Sequence, residues 1–202
     1  MKPKVNYDKL LQEEVAKLDY VPKLLLHSCC APCSSRVIEY LTNYFDITIY
    51  YYNPNIEPFE EYNLRKEEEI RFIKEFPHHN KLDIIDCDYD NNLFKDITKG
   101  LENVKEGGIR CFKCYLLRLR NTALKAKDLG YDYFGTTLTV SPYKNSQVLN
   151  KIGYNLEKEI GIKYLPSDFK KNNGYKRSIE LSKEYNLYRQ NYCGCIYSQN
   201  NK

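Results

Sequence analysis

Short apolar and β-branched runs alternate with longer segments of helical spacing along this chain, and this alternation restricts the fold more than any other feature. The runs predict five strands, at residues 23–26, 46–52, 82–86, 132–140 and 162–165. The segments between and after them predict five helices, at residues 34–45, 57–76, 111–129, 144–160 and 174–187. The mixed charges of residues 57–76 predict a long exposed helix. Strands joined through helices form right-handed βαβ units with parallel strands. We therefore expect an α/β fold with a parallel sheet covered on both faces.

An additional amphipathic helix is predicted before the first strand. Leu10, Leu11, Val15 and Leu18 recur there at helical spacing. No internal repeat or low-complexity linker divides the rest of the 202 residues, a length suited to one large domain. We expect a helical extension at residues 1–22 and a single α/β domain with helical additions at residues 23–202.

Eight cysteines are unexpected in a chain that is long enough to fold without cross-links. Residues 1–21 lack the pattern of a secretory signal, and no apolar run approaches the roughly 20 residues that span a bilayer. We therefore expect a cytoplasmic protein with no membrane partner. In a reducing compartment, clustered cysteines indicate metal binding or redox chemistry rather than structural disulfides.

Seven of the cysteines form three groups, namely Cys29-Cys30-Ala31-Pro32-Cys33, Cys111-Phe112-Lys113-Cys114 and Cys193-Gly194-Cys195. The first two groups stand at predicted helix starts, where the peptide dipoles favour thiolates, and can converge on one metal or cluster. A tetrathiolate zinc site is one interpretation, although it leaves three sulfurs unexplained. An iron–sulfur cluster is the other. The last group is either a pair that stores two electrons or two incidental thiols, and Cys87 is expected to be a small buried residue.

Three loops are expected at the carboxyl edge of the sheet, where ligands of parallel α/β proteins bind. They are the first cysteine turn, the Asn53-Pro54-Asn55 loop and residues 136–144. Their polar side chains are either substrate-binding residues or turn-formers and caps: Asn53, Asn55, Thr137, Thr139, Ser141 and Lys144. His27, at the end of the first strand, is either a proton-transfer group or a buried, hydrogen-bonded histidine.

The charge is unevenly distributed along the chain. Residues 1–109 contain 14 Lys and Arg against 20 Asp and Glu, a net charge of −6, whereas residues 110–202 contain 17 against 7, a net charge of +10. A basic half suits a polyanion such as RNA, although solubility also explains it. The candidate phosphate contacts are Arg110, Arg118, Arg120, Lys170, Lys171, Lys176 and Arg177.

Five segments in this order resemble epoxyqueuosine reductases of the QueH type, over about Leu24 to Ser198. They are Leu25-Leu26-His27-Ser28-Cys29-Cys30-Ala31-Pro32-Cys33-Ser34-Ser35, Tyr52-Asn53-Pro54-Asn55-Ile56, Glu106-Gly107-Gly108-Ile109-Arg110-Cys111-Phe112-Lys113-Cys114, Thr136-Thr137-Leu138-Thr139-Val140-Ser141-Pro142-Tyr143-Lys144, and residues 174–182 continued by residues 188–195.

The resemblance implies the last step of queuosine synthesis, in which the epoxide of epoxyqueuosine in a tRNA anticodon loop is reduced with loss of water. It implies a nucleotide-hydrolase-like (HUP) α/β domain and an unidentified electron donor. It also implies a 4Fe-4S cluster at Cys29, Cys30, Cys111 and Cys114, and a redox-active disulfide between Cys193 and Cys195. Some relatives place an additional iron beside the cluster, where Cys33 would be a ligand.

ATP binding is not expected. Related enzymes place a glycine-rich turn after the first strand so that backbone N–H groups reach the phosphates, whereas residues 28–33 contain no glycine. Two other functions remain open from the residues alone: a tRNA sulfur transferase, which needs that ATP turn, and a zinc-binding RNA adaptor without catalytic activity.

Overall fold

Five parallel strands form the centre of the protein in this computed structural model, which describes residues 3–199. They are β1 (Lys23–His27), β2 (Asp46–Tyr50), β3 (Leu82–Ile85), β4 (Tyr133–Thr136) and β5 (Lys163–Tyr164). Their order across the sheet is β3-β2-β1-β4-β5, and each neighbouring pair is parallel. The expected parallel α/β fold is confirmed. Residues 1, 2 and 200–202, at the outer ends of the predicted extension and domain, lie outside the described residues.

Eight α-helices accompany these strands in the described part of the chain. They are α1 (Tyr7–Val15), α2 (Ala31–Leu41), α3 (Phe59–Glu75), α4 (Asn91–Thr98), α5 (Ile109–Asp128), α6 (Ser146–Ile160), α7 (Gly174–Glu184) and α8 (Ile196–Gln199). The prediction of a strand over residues 132–140 was wrong in its second half. The chain forms a 3-10 helix at Thr137–Val140, because the hydroxyl of Thr136 accepts a hydrogen bond from the backbone N–H of Leu138 (3.1 Å) and caps it.

Helices pack on both faces of the sheet, which explains why the leucines of β1 form a continuous apolar run. Leu24 and Leu26 face a core that contains side chains of α2, α3 and α7, whereas Leu25 faces a core built with α5 and α6. All three leucines are fully buried. Strands buried on both faces lose the alternation of polar and apolar residues.

The N-terminal helix α1 packs onto the first of these two cores. Leu11 and Val15 belong to that core, and the Tyr133 hydroxyl donates a hydrogen bond to Glu14 (2.6 Å). The proposed division into residues 1–22 and 23–202 remains a prediction. No helix among the described residues has the length and apolar character needed to cross a membrane.

The carboxyl edge of the sheet brings the three loops together. In the register of the strands, His27 at the end of β1 aligns with Tyr50 of β2 and with Thr136 of β4. The chain leaves β1 toward β2 and β3 on one side, and β4 and β5 lie on the other. A crevice therefore opens beyond the ends of β1 and β4, which is where sheets of this topology bind ligands.

Candidate metal centre and cavity

The turn between β1 and α2 brings three thiols together. The backbone N–H of Cys33 donates to the carbonyl of Cys30 (3.0 Å), and Pro32 lies in the first turn of the helix. The sulfur atoms of Cys29, Cys30 and Cys33 lie within 4.8 Å of one another, with 3.8 Å between the first two. Tetrahedral metal–sulfur bonds of about 2.3 Å place sulfurs about 3.8 Å apart. These three cysteines can therefore hold one metal ion.

A second pair of thiols lies at the beginning of α5. Cys111 is partly exposed and accepts a hydrogen bond from the backbone N–H of Gly107 (3.2 Å). Cys114 is buried one turn later, and burial raises the pKa of its thiol to about 12. Both cysteine groups thus lie at the start of a helix, as the sequence predicts.

The third group lies in the C-terminal tail, which α3 holds in place. Cys193 is partly exposed and Cys195 is buried, and both are free thiols in the structure. The guanidinium of Arg65 donates to the Cys193 carbonyl (3.2 Å) and to the carboxylate of Glu61 (2.7 Å). Arg65 also lies over the Tyr192 ring, 5.0 Å from its centroid. The disulfide between Cys193 and Cys195 stays a prediction.

Two further hydrogen bonds attach this tail to the site. The backbone N–H of Glu57 donates to the carbonyl of Gly194 (2.9 Å). The amide of Gln190 donates to the Cys30 sulfur (2.9 Å), so that the tail contacts the cysteine turn directly.

Two cavities lie between these segments. The larger, of about 610 Å³, is lined by the cysteine turn, the loop after β4 and the tail. The smaller is lined by thiols of α5 and the tail together with Arg118. Cys193 and Glu106 border both cavities. Cys87 lines neither, and its thiol lies 3.7 Å from the carbonyl of Ile85. It is partly exposed, which corrects the expectation of a buried residue.

Arg118 is a buried cation for which the described residues provide no carboxylate partner. Its side chain is 1% exposed, its Nη1 lies 3.4 Å from the Asn53 side-chain oxygen, and its Nε and Nη2 atoms have no hydrogen-bond partner. Burial alone would lower the pKa of Arg118, but the charges of Cys114, Cys193 and Cys29 raise it. The groups that could balance the charge of this guanidinium are therefore cysteines, which would be thiolates when they ligate a metal.

Lys144 repeats this arrangement at the larger cavity. Burial would lower the pKa of its ammonium group, but Cys193, Cys29 and Cys33 raise the pKa above its ordinary value. A thiolate-ligated metal centre carries net negative charge, which two such cations stabilise. The unpartnered guanidinium of Arg118 thus fits a site built for an anionic centre.

The six predicted substrate-binding residues occupy different places. Thr139 is buried outside both cavities, and its hydroxyl lies 2.9 Å from that of Ser167. Ser141 and Lys144 line the larger cavity, and Asn55 lines the smaller one with both of its amide atoms unpartnered. Asn53 instead donates to the carbonyl of Ser28 (2.7 Å) and so fixes the start of the cysteine turn. Thr137 is fully buried, and neither cavity is lined by it.

Four of the basic residues singled out in the sequence have structural partners, and of these only Arg110 also lines a cavity, the smaller one. Arg110 donates to the carbonyls of Leu101 and Glu102, both at 2.9 Å. Three others form ion pairs: Arg120 with Glu159, Lys170 with Asp168 and Arg177 with Glu39. Lys171 and Lys176 are exposed.

His27 is buried and neutral. Its Nε2 donates to the carbonyl of Tyr52 (3.2 Å), and its Nδ1 lies 3.1 Å from the Thr136 hydroxyl. Burial lowers the pKa of this imidazole to about 3. The ring connects the ends of β1 and β4 to the loop after β2, which favours the hydrogen-bonded interpretation over proton transfer.

A buried carboxyl lies behind the cysteine turn, and the sequence does not predict it. Glu69 of α3 is fully buried, and neither of its oxygens makes a hydrogen bond. Burial raises its pKa to about 8, although the nearby hydroxyls of Ser34 and Ser28 partly oppose this. Glu69 and Arg65 were both expected on an exposed helix, and their burial corrects that expectation.

This protein is an α/β protein with a parallel sheet. At the carboxyl edge of the sheet, a cysteine cluster that can hold a metal ion lies beside a cavity. The sequence model of epoxyqueuosine reductase QueH matches residues 24–201. The chain therefore belongs to the QueH family of epoxyqueuosine reductases, and the expected resemblance is confirmed.

Several curated relatives carry the description epoxyqueuosine reductase QueH. The protein of Streptococcus pyogenes serotype M1 is 47% identical, with 96% of this chain and 78% of that protein covered. The protein of Staphylococcus epidermidis is 45% identical, with 96% and 85% covered. The protein of Thermotoga maritima is 35% identical, with 87% and 89% covered.

The fold is shared with a solved structure of much lower sequence identity. That structure is described as a predicted subunit of tRNA methyltransferase from Methanocaldococcus jannaschii, with a TM-score of 0.50 and 16% identity. The match covers 80% of this chain and 74% of the other. At this identity the similarity supports the parallel α/β fold alone.

Proposed function

We propose that this protein reduces epoxyqueuosine in a tRNA anticodon loop to queuosine and releases the epoxide oxygen as water. One observation carries the proposal. In a chain of the QueH family, three thiols lie within 4.8 Å of one another, and two of these residues, Cys29 and Cys33, line a cavity of about 610 Å³. Cavities of roughly 300–1,000 Å³ accommodate small organic ligands, and a nucleoside is such a ligand.

A 4Fe-4S cluster is the proposed cofactor, with Cys29, Cys30, Cys111 and Cys114 as its ligands. Cys33 lies with the first two of these and is the proposed ligand of a second iron. When bound, these metals supply electrons and polarise the epoxide oxygen. The uncompensated charge of Arg118 supports an anionic centre at this place.

The proposed redox pair satisfies the balance of the reaction. Removal of one epoxide oxygen as water, with formation of a carbon–carbon double bond, consumes two electrons and two protons. Cys193 and Cys195 release two electrons and two protons when they form a disulfide. Cys193 borders both cavities, and an external electron donor would reduce the disulfide after each turnover.

Lys144 supplies a proton and positive charge at the cavity wall. The neighbouring thiols raise the pKa of its ammonium group, so that the group is protonated at neutral pH. A cation there stabilises the negative charge that develops on oxygen as the epoxide opens. No step of this reaction consumes ATP, and we expect calorimetry to detect no ATP binding.

The direct test is anaerobic incubation of the iron-loaded protein with tRNA that carries epoxyqueuosine and with a chemical reductant. We expect mass spectrometry of the tRNA nucleosides to detect queuosine. Substitution of Cys29, Cys30 or Cys33 with Ser is expected to lower both the iron content and turnover at least tenfold. The matched control is Cys87→Ser, which removes a thiol outside both cavities and should leave iron content and turnover unchanged.

Two results would contradict the proposal. One is a protein that retains iron and leaves epoxyqueuosine in the tRNA. The other is stoichiometric zinc without iron after anaerobic purification, which would favour an RNA adaptor.

A further inference from the structure

A tight turn at the mouth of the larger cavity presents a tyrosine to solvent. The backbone N–H of Lys144 donates to the carbonyl of Ser141 (3.3 Å), and that of Tyr143 donates to the Ser141 hydroxyl (3.3 Å). Pro142 restricts the backbone at the second position of this turn. The Tyr143 ring therefore projects from a backbone that is held in one conformation.

Tyr143 is more exposed than a structural tyrosine would be. Its side chain is 80% exposed, the largest value among the exposed large hydrophobic residues that the structure describes, and Tyr20 follows at 59%. Tyr143 nevertheless lines the same cavity as Cys29, Cys33 and Lys144. The described aromatic pairs do not include it, so its ring contributes little to packing. An aromatic ring in this position is available to a ligand that enters the cavity.

A second part of the same mouth carries an exposed positive charge. Arg189 and Tyr175 both line the cavity, and the guanidinium lies 5.5 Å from the centroid of the tyrosine ring. Arg189 donates to the hydroxyls of Tyr175 and Ser182, both at 3.3 Å. These partners are neutral, so they orient the guanidinium and leave its charge uncompensated.

We infer that the mouth of the cavity binds single-stranded RNA, with Tyr143 stacked on an unpaired base and Arg189 in contact with a phosphate. Sequence-tolerant RNA sites combine aromatic rings with cations in this way. The stacked base would neighbour the nucleotide that enters the cavity. The identity of that nucleotide rests on the proposed function, whereas the stacking and phosphate contacts can be measured without turnover.

The first test measures the affinity of the iron-loaded protein for an anticodon stem-loop by fluorescence anisotropy under anaerobic conditions. We expect Tyr143→Ala to weaken binding by about five- to a hundredfold, the loss that corresponds to one base–aromatic stack. Tyr143→Phe retains the ring and should bind as the unmodified protein does. Tyr20→Ala removes another exposed tyrosine, outside the cavity, and should also have no effect.

The second test uses salt. Arg189→Gln is expected to reduce the slope of log K against log salt concentration by roughly 0.7–0.9, the value for one lost phosphate contact. Arg71→Gln removes an arginine that is paired with Glu68 and Glu75 outside the cavity, and it should leave the slope unchanged.

The outcomes separate this inference from the proposed function. Unaltered stem-loop affinity in Tyr143→Ala would overturn the inference, even where the unmodified protein reduces epoxyqueuosine. Conversely, weakened binding in Tyr143→Ala would support it even where no reduction occurs. If Tyr143→Ala slowed turnover only with a protein electron donor and bound RNA normally, the surface would serve that donor and the inference would be wrong.

Discussion

Gly194 allows the backbone between the two tail cysteines to approach Arg65, and its replacement by alanine should detach the tail. Its φ of +102° lies in the left-handed half of backbone space, where side chains are strained. A Cβ atom there would lie 2.7 Å from Nη1 of Arg65 and 3.1 Å from its Cζ. The same Nη1 donates to the carbonyl of Cys193 (3.2 Å), so the guanidinium has to give up that bond to move.

The cost of Gly194→Ala follows from these two effects. Backbone strain at such a φ costs about 1–3 kcal/mol. A lost hydrogen bond from a charged donor costs about 1.5–3 kcal/mol. Their sum, about 2.5–6 kcal/mol, raises the population of the detached tail by at least about fiftyfold. The sheet and its two cores are not involved, so the thermal unfolding of the remainder should change little.

Alkylation of the metal-free, reduced protein with iodoacetamide, followed by peptide mass spectrometry, measures this population. Cys195 is buried and should react at least tenfold faster in Gly194→Ala. The control is Gly130→Ala, because Gly130 also has a positive φ (+67°) but no atom lies within 4 Å of its added Cβ. Equal alkylation rates of Cys195 in Gly194→Ala and Gly130→Ala would refute the reasoning.

Two further predictions concern buried charges. The pKa of Glu69 is raised in the folded state from 4.5 to about 8, so the free energy of unfolding should fall as the pH rises from 4.5 to 8, by up to about 5 kcal/mol. Glu69→Gln should flatten this dependence in urea unfolding of the metal-free protein, and an unchanged slope would contradict the assignment. Arg118→Met should leave the metal-free protein at least as stable, because it removes an unpaired buried cation, but should speed the loss of iron to a chelator severalfold. Equal rates of iron loss would show that Arg118 does not stabilise the centre.

The sheet and most helices could be predicted because their signals are local. Strands buried on both faces are apolar throughout, and Pro32, Gly108 and Gly161 mark where helices begin or end. Helix α4 was not predicted, since it buries few side chains and depends on the Asp90 carboxylate, which accepts from the backbone N–H of Asn92.

The candidate site was predicted only in part. Cysteine spacing identified the thiols, and the loop positions identified Ser141 and Lys144. The burial of Arg65 and Glu69 was not predicted. The two residues lie four positions apart on a charged helix, and such a spacing is typical of an exposed ion pair. They are buried because the tail and the cysteine turn pack against α3, and no local pattern records such long-range packing.

The location of the cysteine turn explains how one fold can host unrelated cofactors. The amino end of α2 lies at the carboxyl edge of the sheet, and the positive end of its helix dipole favours negative charge of any origin. A phosphate oxygen and a thiolate are therefore interchangeable there in electrostatic terms. Exchanging a glycine-rich turn for a cysteine-rich one would therefore replace the ligand without rebuilding the sheet. In proteins of this topology, the few residues after the first strand identify the chemistry better than the fold does.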